Sequence, residues 1–356
     1  PGDSSQFVIT LQNNGQLAGT SLSGVLTCPD TGVAIINGSA SFGDISIGGT
    51  GSNSGSPFVV RISGEMYQGH NLNFNLHLTS SNGSVTDRVV SVVVGNITTA
   101  DPVGPDNYGY YMYDNTDTTY SPHPIYNWVE ISPYDGGSGT RVVFPGSNRD
   151  ENSEVISLPF TFVYYGQSFN YTLVSINGFI AFDTTHIDMG GNHWTSSDNI
   201  QIPEPGAPDG IIAPFWDDLK YTGNYGVFHY YDSALHKYII EWKNCTHART
   251  PSHHPETFQM IIYDENYYPT PTGDCEIVFQ YNVVYNDDDD NYNSLQPGLY
   301  SSVGLQNMTN EDGLQYTFDN FYHPGAATLQ AGRAIKITTA SSSQFPNIVQ
   351  SPDNFN

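Results

Sequence analysis

SLPFTFVYYGQSFNYTLVSINGFIAFD, from Ser157 to Asp183, is the stretch that decides the fold class. In SLPFTFVYY the aromatic residues Phe160, Phe162 and Tyr164 share one parity, while Thr161 and Val163 take the other. A period of two predicts a strand with one buried face. Gly166 then marks a turn, and Leu173, Val174 and Ile176 lead into Asn177-Gly178. Asn-Gly between apolar runs predicts a hairpin, because both residues tolerate the positive φ of a type I′ turn. The later segment IIAPFWDDL, Ile211 to Leu219, is the expected partner. These residues read as scaffold, and the scaffold is all-β.

The same rhythm continues in both directions. PIYNWVEI and RVVF precede the stretch; GVFHYY, KYIIEW, TFQMIIY, EIVFQYNVVY, SSVGLQ and RAIKIT follow it. In KYIIEW, Tyr238, Ile240 and Trp242 share a face. No helical period of useful length interrupts the series, so a larger jelly-roll-like β-sandwich is expected over residues 107–340. Ahead of it, residues 1–97 read as short strands between Gly, Asn and Ser turns. NLNFNLHL places Leu72, Phe74, Leu76 and Leu78 on one face and Asn71, Asn73, Asn75 and His77 on the other. PFVVRI repeats the pattern with Phe58, Val60 and Ile62 inward, and Asn82-Gly83 supplies a second hairpin turn. Roughly seven strands in about 95 residues predict an N-terminal Ig-like β-sandwich. NITTADPVGPD has two prolines and no periodicity, so residues 98–106 are expected to be a linker. Residues 341–356, rich in Ser, Pro and Asn, are expected to form an extended C-terminal tail.

Ten basic residues stand against 36 acidic ones, a net charge of −26. No basic footprint exists for nucleic acid or for an anionic membrane surface. Only 13% of the residues are charged, so the surface must be mostly uncharged polar, as expected of a β-rich extracellular protein. No apolar run reaches membrane-spanning length. The chain opens without Met or a signal peptide, which is expected of a processed form or a fragment.

SLPFTFVYYGQSFNYTLVSINGFIAF, IIAPFWDDL and TFQMIIY together resemble the nidogen-type extracellular domain. The shared features are an apolar Pro-Phe strand, an Asn-Gly turn before an aromatic strand, and a Pro-Phe-Trp-Asp segment. DPVGPDNYGYYMYDNTDTTYS, YYPTPTGDCEIVFQY and DGLQYTF are similar to a region of large secreted bacterial proteins, some of which carry gingipain-like peptidase domains. The resemblance spans about Asp101 to Thr339 and implies a non-catalytic accessory or adhesive module on a bacterial surface. LQNNGQLAGTSLSGVL and the strands after it resemble Ig-like modules of bacterial secreted proteins.

Candidate chemistry is sparse. Cys28 reads as a small core residue at a strand end. Cys245 ends KYIIEWKNC and Cys275 opens CEIVFQY, so the two either form a disulfide within one sheet or remain buried thiols. His247, His253 and His254 in THARTPSHHP lack metal-ligand spacing and read as a solvated loop. Hard cations want clustered oxygen ligands, which makes Ca²⁺ the expected metal if one is bound. The candidate ligands are Asp114, Asn115 and Asp117 in YDNTDTTY, Asp217 and Asp218 after Trp216, and Asp287, Asp288, Asp289 and Asp290. The run of four could equally be a solvated hairpin tip, and Asp217 and Asp218 could be turn formers. No segment singles out a carboxylate pair, a nucleophile elbow or a phosphate-cradling loop, so no enzyme is expected.

Asn37, Asn82, Asn96, Asn170, Asn244 and Asn307 fit the glycosylation sequon. Trp194 in GGNHWTSSDN is the aromatic residue best placed for ligand contact, whereas Trp216 and Trp242 read as core. The expected function is a structural or adhesive extracellular module whose partners are other copies of itself or other surface proteins and glycans. Self-assembly into a filament or layer would proceed by strand addition, with Phe7, Ile9 and Leu11, or Phe345 and Ile348, as donor strand. The alternatives are an accessory region of a secreted peptidase and a Ca²⁺-dependent glycan-binding module.

Overall fold

The computed structural model describes residues 4–63, 66, 68–146, 149–184, 199–248, 254–286 and 300–341. The chain divides into two compact units, the first ending at Ile97 and the second beginning at Thr98. Among the described residues every strand pairing is antiparallel, and the one helical element is the 3₁₀ turn Pro133–Asp135.

The first unit is built from a four-stranded sheet and a three-stranded sheet, with a short two-stranded pair beside them. In the larger sheet Ser39–Ile45, Gly19–Thr27, Asn71–Thr79 and Val85–Val93 lie side by side in that order. Asn71–Thr79 alternates as the sequence predicts, with Leu72, Phe74, Leu76 and Leu78 buried and the Asn residues exposed. Those leucines meet Phe58 and Val60 of the smaller sheet in one core. Fully burying a side chain of this size contributes about 1.5–3 kcal/mol, so the alternation is the main stabilising pattern of the unit. Phe7, Ile9 and Leu11 are spent here. Ser4–Phe7 pairs with Phe58–Arg61, Thr10–Gln12 pairs with Thr50–Ser52, and all three apolar side chains pack on the core. A strand already paired in its own unit is not a free donor, so the N-terminal donor is corrected. Phe345 and Ile348 lie outside the described residues.

The second unit is a sandwich of two sheets. One runs Ser153–Tyr164, Gln167–Ser175, Ile180–Ala181, Ile212–Trp216, Ser302–Gln306, Gly313–Phe318, Phe321–Tyr322. The other runs Tyr111–Asp114, Ala334–Thr338, Ile277–Val283, Pro255–Tyr263, Lys237–His247, Gly226–Asp232, Thr140–Arg141. Phe162 and Tyr164 point into the shared core as their parity predicts, with Phe160 packed at its margin.

The second sheet is covered on both faces. Tyr238, Ile240 and Trp242 enter the core between the sheets, while Ile239, Ile261 and Val278 meet Ile131 and Val129 on the outside. On the first sheet's outer face, Phe179, Ala213 and Trp216 are covered by Ile202, Ala207 and Ile211. Lys237 to Lys243 is therefore buried residue by residue, where a one-sided strand would alternate.

Two local expectations need correction. Asn177-Gly178 does close a hairpin, but Ser175 N donates to Phe179 O, so the loop is the three residues Ile176 to Gly178. Only Gly178 sits at positive φ, at 80°. Asn82-Gly83 behaves alike: Ser80 and Ser84 close the loop and Gly83 takes φ of 87°. A three-residue loop needs one left-handed residue at its end, whereas the two-residue turn needs two. The expected linker is also more than a tether. Val103 is buried and exchanges backbone hydrogen bonds with Met112, and Asp101 accepts from Tyr120 Oη at 2.7 Å.

Candidate functional site

The opening hairpin and the Pro-Phe-Trp-Asp segment meet at one end of the sandwich. The Ile176–Gly178 loop lies against the end of Ile212–Trp216: Phe215 N donates to Gly178 O, Asp217 N to Asn177 O, and Leu219 N to Asn177 Oδ1. A Cβ on residue 178 would lie 1.7 Å from Phe215 O. Glycine is thus required twice over, by its φ and by the closeness of the two backbones.

This docking aims two adjacent carboxylates in different directions. Asp217 turns into the protein, where its Oδ2 lies 3.3 Å from His247 Nδ1. The other ring nitrogen of His247 lies 3.1 Å from Glu256 Oε1. Glu256 also accepts from the backbone N–H groups of Tyr285 and Asn286. His247 is 2% exposed and Glu256 is fully buried. Burial by itself pushes an imidazole pKa down, but Asp217 and Glu256 on either side outweigh it and hold His247 well above its ordinary value. The shift favours the protonated ring, which lies between the two acidic side chains. Its Nε2 is held by Glu256 and the ring is buried, so it lacks the open face that a general base presents to substrate.

Asp218 turns the other way. One oxygen from each of Asp218, Asp150 and Glu151 lies within 4.8 Å of the others, and Asn177 Nδ2 donates to Glu151 Oε2. Three converging carboxylates, with Asp218 buried and Asp150 and Glu151 partly buried, are the donor set that a hard, oxygen-seeking cation would take. Among the described residues this is the one such group, and two of its members, Asp150 and Glu151, carry no sequence signal.

The other expected ligands fare differently. Asp114 and Asp117 are brought together, but their oxygens are already in use. Asp114 accepts from Tyr316 Oη at 2.6 Å, Thr116 N at 2.7 Å and Ala327 N at 3.1 Å, and pairs with Arg333 at 3.3 Å. A guanidinium thus stands where a metal ion would. Asp117 Oδ2 accepts from Asp114 N, and burial, with Asp114 nearby, pushes the Asp117 carboxyl up to about 8. Asp287 to Asp290 lie outside the described residues, as do Trp194 and His253.

The disulfide expectation is overturned. Cys28, Cys245 and Cys275 are free thiols. Cys245 pairs across to Glu256 at the start of Pro255–Tyr263, whereas Cys275 sits beside Tyr263 at its far end. Seven residues of strand separate those ends, about 23 Å at the usual rise. In an antiparallel meander the end of one strand and the start of the next but one lie at opposite edges. The expected loop at His247 is overturned as well, because His247 is the last residue of strand Lys237–His247. Beyond the bulge after Trp242, Cys245 and His247 share a parity, and both are buried.

The sequons divide by exposure. Asn37, Asn82, Asn96 and Asn170 are exposed, while Asn244 and Asn307 are half-buried and hydrogen-bonded, Asn244 Oδ1 with Thr257 and Asn307 Oδ1 with Thr309 and Glu311. Trp216 and Trp242 are core residues, as expected.

Four buried polar contacts cross between the two sheets. Trp242 Nε1 donates to Ser175 O at 2.8 Å, Tyr281 Oη to Pro214 O at 2.6 Å and Tyr316 Oη to Asp114, and His247 faces Asp217. In each case one partner belongs to each layer or to its immediate end. Such groups fix the register of two otherwise smooth apolar faces, because each leaves a costly orphan if the faces slip.

The model of the NIDO-related family matches residues 126–345. No curated relative and no solved structure matches the chain.

Proposed function

The chain belongs to the nidogen-related family, and on that premise we propose that it is a non-catalytic extracellular module that works by presenting surfaces. Its place is the outside of a bacterial cell, where it serves a structural or adhesive role toward other copies, other surface proteins or glycans. One observation carries this reading: the buried ionisable side chains that a catalytic site would draw on face partners within the chain. His247 lies between Asp217 and Glu256, Asp114 against Arg333, and Lys243 against Glu130. A general acid or base needs a face open to substrate, and these groups are used as ties between strands. Among the described residues no helix is long and apolar enough to cross a membrane.

Immunogold electron microscopy on intact source cells, with an antibody against this chain, tests the reading. Label on the outer surface supports it. Label confined to the interior of sectioned cells overturns it.

Calcium is a secondary part of the same reading, favoured by the convergence of Asp150, Glu151 and Asp218. Calcium then raises the melting temperature of the larger unit, and Asp218→Asn removes the response. A melting temperature indifferent to both calcium and chelator removes the ion from the account.

A further inference from the structure

An exposed sheet edge is a hazard, and proteins blunt edges with short strands, proline, bulges or cover. Most edges of this chain carry such a device. Thr140–Arg141 and Phe321–Tyr322 are two residues long. Ser153–Tyr164 contains Pro159 and a register shift, and near its end Val163 exchanges hydrogen bonds with Cys275. Ser39–Ile45 has irregular register against its neighbour, with Gly43 at positive φ, and Val33–Asn37 is shifted against Phe58–Ile62.

Val85–Val93 has none of them. It is nine residues long, without proline, and pairs with Asn71–Thr79 in nine successive steps without a shift. Among the described residues its other side is unpaired. Its outward face is unusual too. Val85, Val89 and Val93 are 61%, 63% and 59% exposed and recur every fourth residue, so all three stand in a row on one face.

We propose that Val85–Val93 is a pairing edge for a second copy of this chain, joined antiparallel about a two-fold axis at Val89. The inference rests on the reading above of a module that meets its own copies, and it names the strand. Its support is the strand's self-complementarity. Centred on Val89, the outward pairs are Val85 with the partner's Val93, Asp87 with the partner's Ser91, and Val89 with the partner's Val89. On the inner face Thr86 meets the partner's Val92 and Arg88 the partner's Val90. Directly opposed side chains are the unit of sheet stabilisation, and here three apolar contacts form with no like charges opposed. Centring on Asp87 or on Arg88 would set that charge against its own copy. Each of these pairs follows from reading VTDRVVSVV against itself.

Charge also permits the approach. The first unit holds Asp3, Asp30, Asp44, Glu65 and Asp87 against Arg61 and Arg88, so it carries −3 of the chain's −26. Two copies meeting through this unit avoid most of the repulsion that the rest of the chain would impose. Because the same patch serves both partners, the contact closes on itself and yields dimers.

Sedimentation velocity on the purified full chain across a hundredfold concentration range tests the inference. The expected result is a monomer–dimer equilibrium that Val89→Lys weakens at least tenfold by placing two ammonium groups face to face. The double change Val85→Glu with Val93→Lys sets opposite charges across the predicted register and retains the dimer, while Val85→Lys with Val93→Lys abolishes it. A wild-type chain that stays monomeric overturns the inference, and so does a dimer indifferent to Val89→Lys in a protein that remains folded by circular dichroism. A chain ending at Ser341 that loses its dimer would assign the edge to the tail, which also overturns it. None of these outcomes touches the surface location, which the immunogold experiment decides separately.

Discussion

Replacing Gly178 by alanine tests the tie between the opening hairpin and the Pro-Phe-Trp-Asp strand. The new methyl would have to occupy φ of 80° and lie 1.7 Å from Phe215 O. The left-handed conformation alone costs an L-residue about 1–2 kcal/mol. The overlap is with backbone, so no side-chain rotation relieves it, and the loop must back away from Ile212–Trp216. Three hydrogen bonds span that junction: Phe215 N to Gly178 O at 3.2 Å, Asp217 N to Asn177 O at 3.2 Å, and Leu219 N to Asn177 Oδ1 at 2.9 Å. Each contributes about 1 kcal/mol, and more where a buried group is left unpaired. The expected loss is therefore about 4–6 kcal/mol, a large part of a domain stability of roughly 5–15 kcal/mol. All four tryptophans lie beyond Ile97, so tryptophan fluorescence during urea unfolding reports the larger unit alone. The midpoint should fall steeply while the slope is retained. A loss below about 1 kcal/mol would mean that the loop and strand are not locked as described.

Other perturbations probe the buried charges and the thiols. His247→Leu removes the cation between Asp217 and Glu256, and breaking such a buried arrangement should cost the larger unit about 3–5 kcal/mol in the same urea assay. A loss near zero would show that His247 does not tie Asp217 to Glu256. Stability should also depend on pH in one direction. Burial pushes the Asp106 carboxyl up to about 6 and those of Asp117 and Glu241 up to about 8. A carboxyl raised in the folded state contributes stability that is complete below its ordinary value and is lost as pH rises through the folded one. His247, raised as well, acts in the same sense, with its contribution complete below about 6.5. The urea midpoint should thus be higher at pH 5 than at pH 8.5, and a midpoint that rises with pH contradicts the assignment. Finally, alkylation under non-reducing conditions should modify Cys245 and Cys275 only after unfolding, with three thiols titrating in denaturant. A single thiol there would restore the rejected disulfide.

Much of the scaffold is legible in the sequence, for a physical reason. Where a strand has one face in water, as in NLNFNLHL or at Phe160–Tyr164, the pleat writes its period of two directly into the chain. Where segments cover the second face, as at Lys237–Lys243, both parities become apolar or tightly paired and the period fades. The polar ties were harder to see. Asp217, His247 and Glu256 come from separate strands, and only the pairing of sheets brings them together. Asp150 and Glu151 meet Asp218 by the same route. Cys245 and Cys275 both stand at strand ends, but strand direction puts those ends at opposite edges of the sheet, so nearness in pattern is not nearness in space. At the Asn-Gly turns the dipeptide located both hairpins but left the loop length open, because glycine at positive φ serves two-residue and three-residue loops alike.

The proposed function is a module that presents surfaces, with its buried polar groups spent on ties inside the chain. The most direct test is to recover the chain from its native source by gentle shearing and to image it by electron microscopy beside the remaining soluble fraction. The account predicts chains found joined to one another or attached to surface material. Chains recovered only as free monomers in the soluble fraction would contradict it.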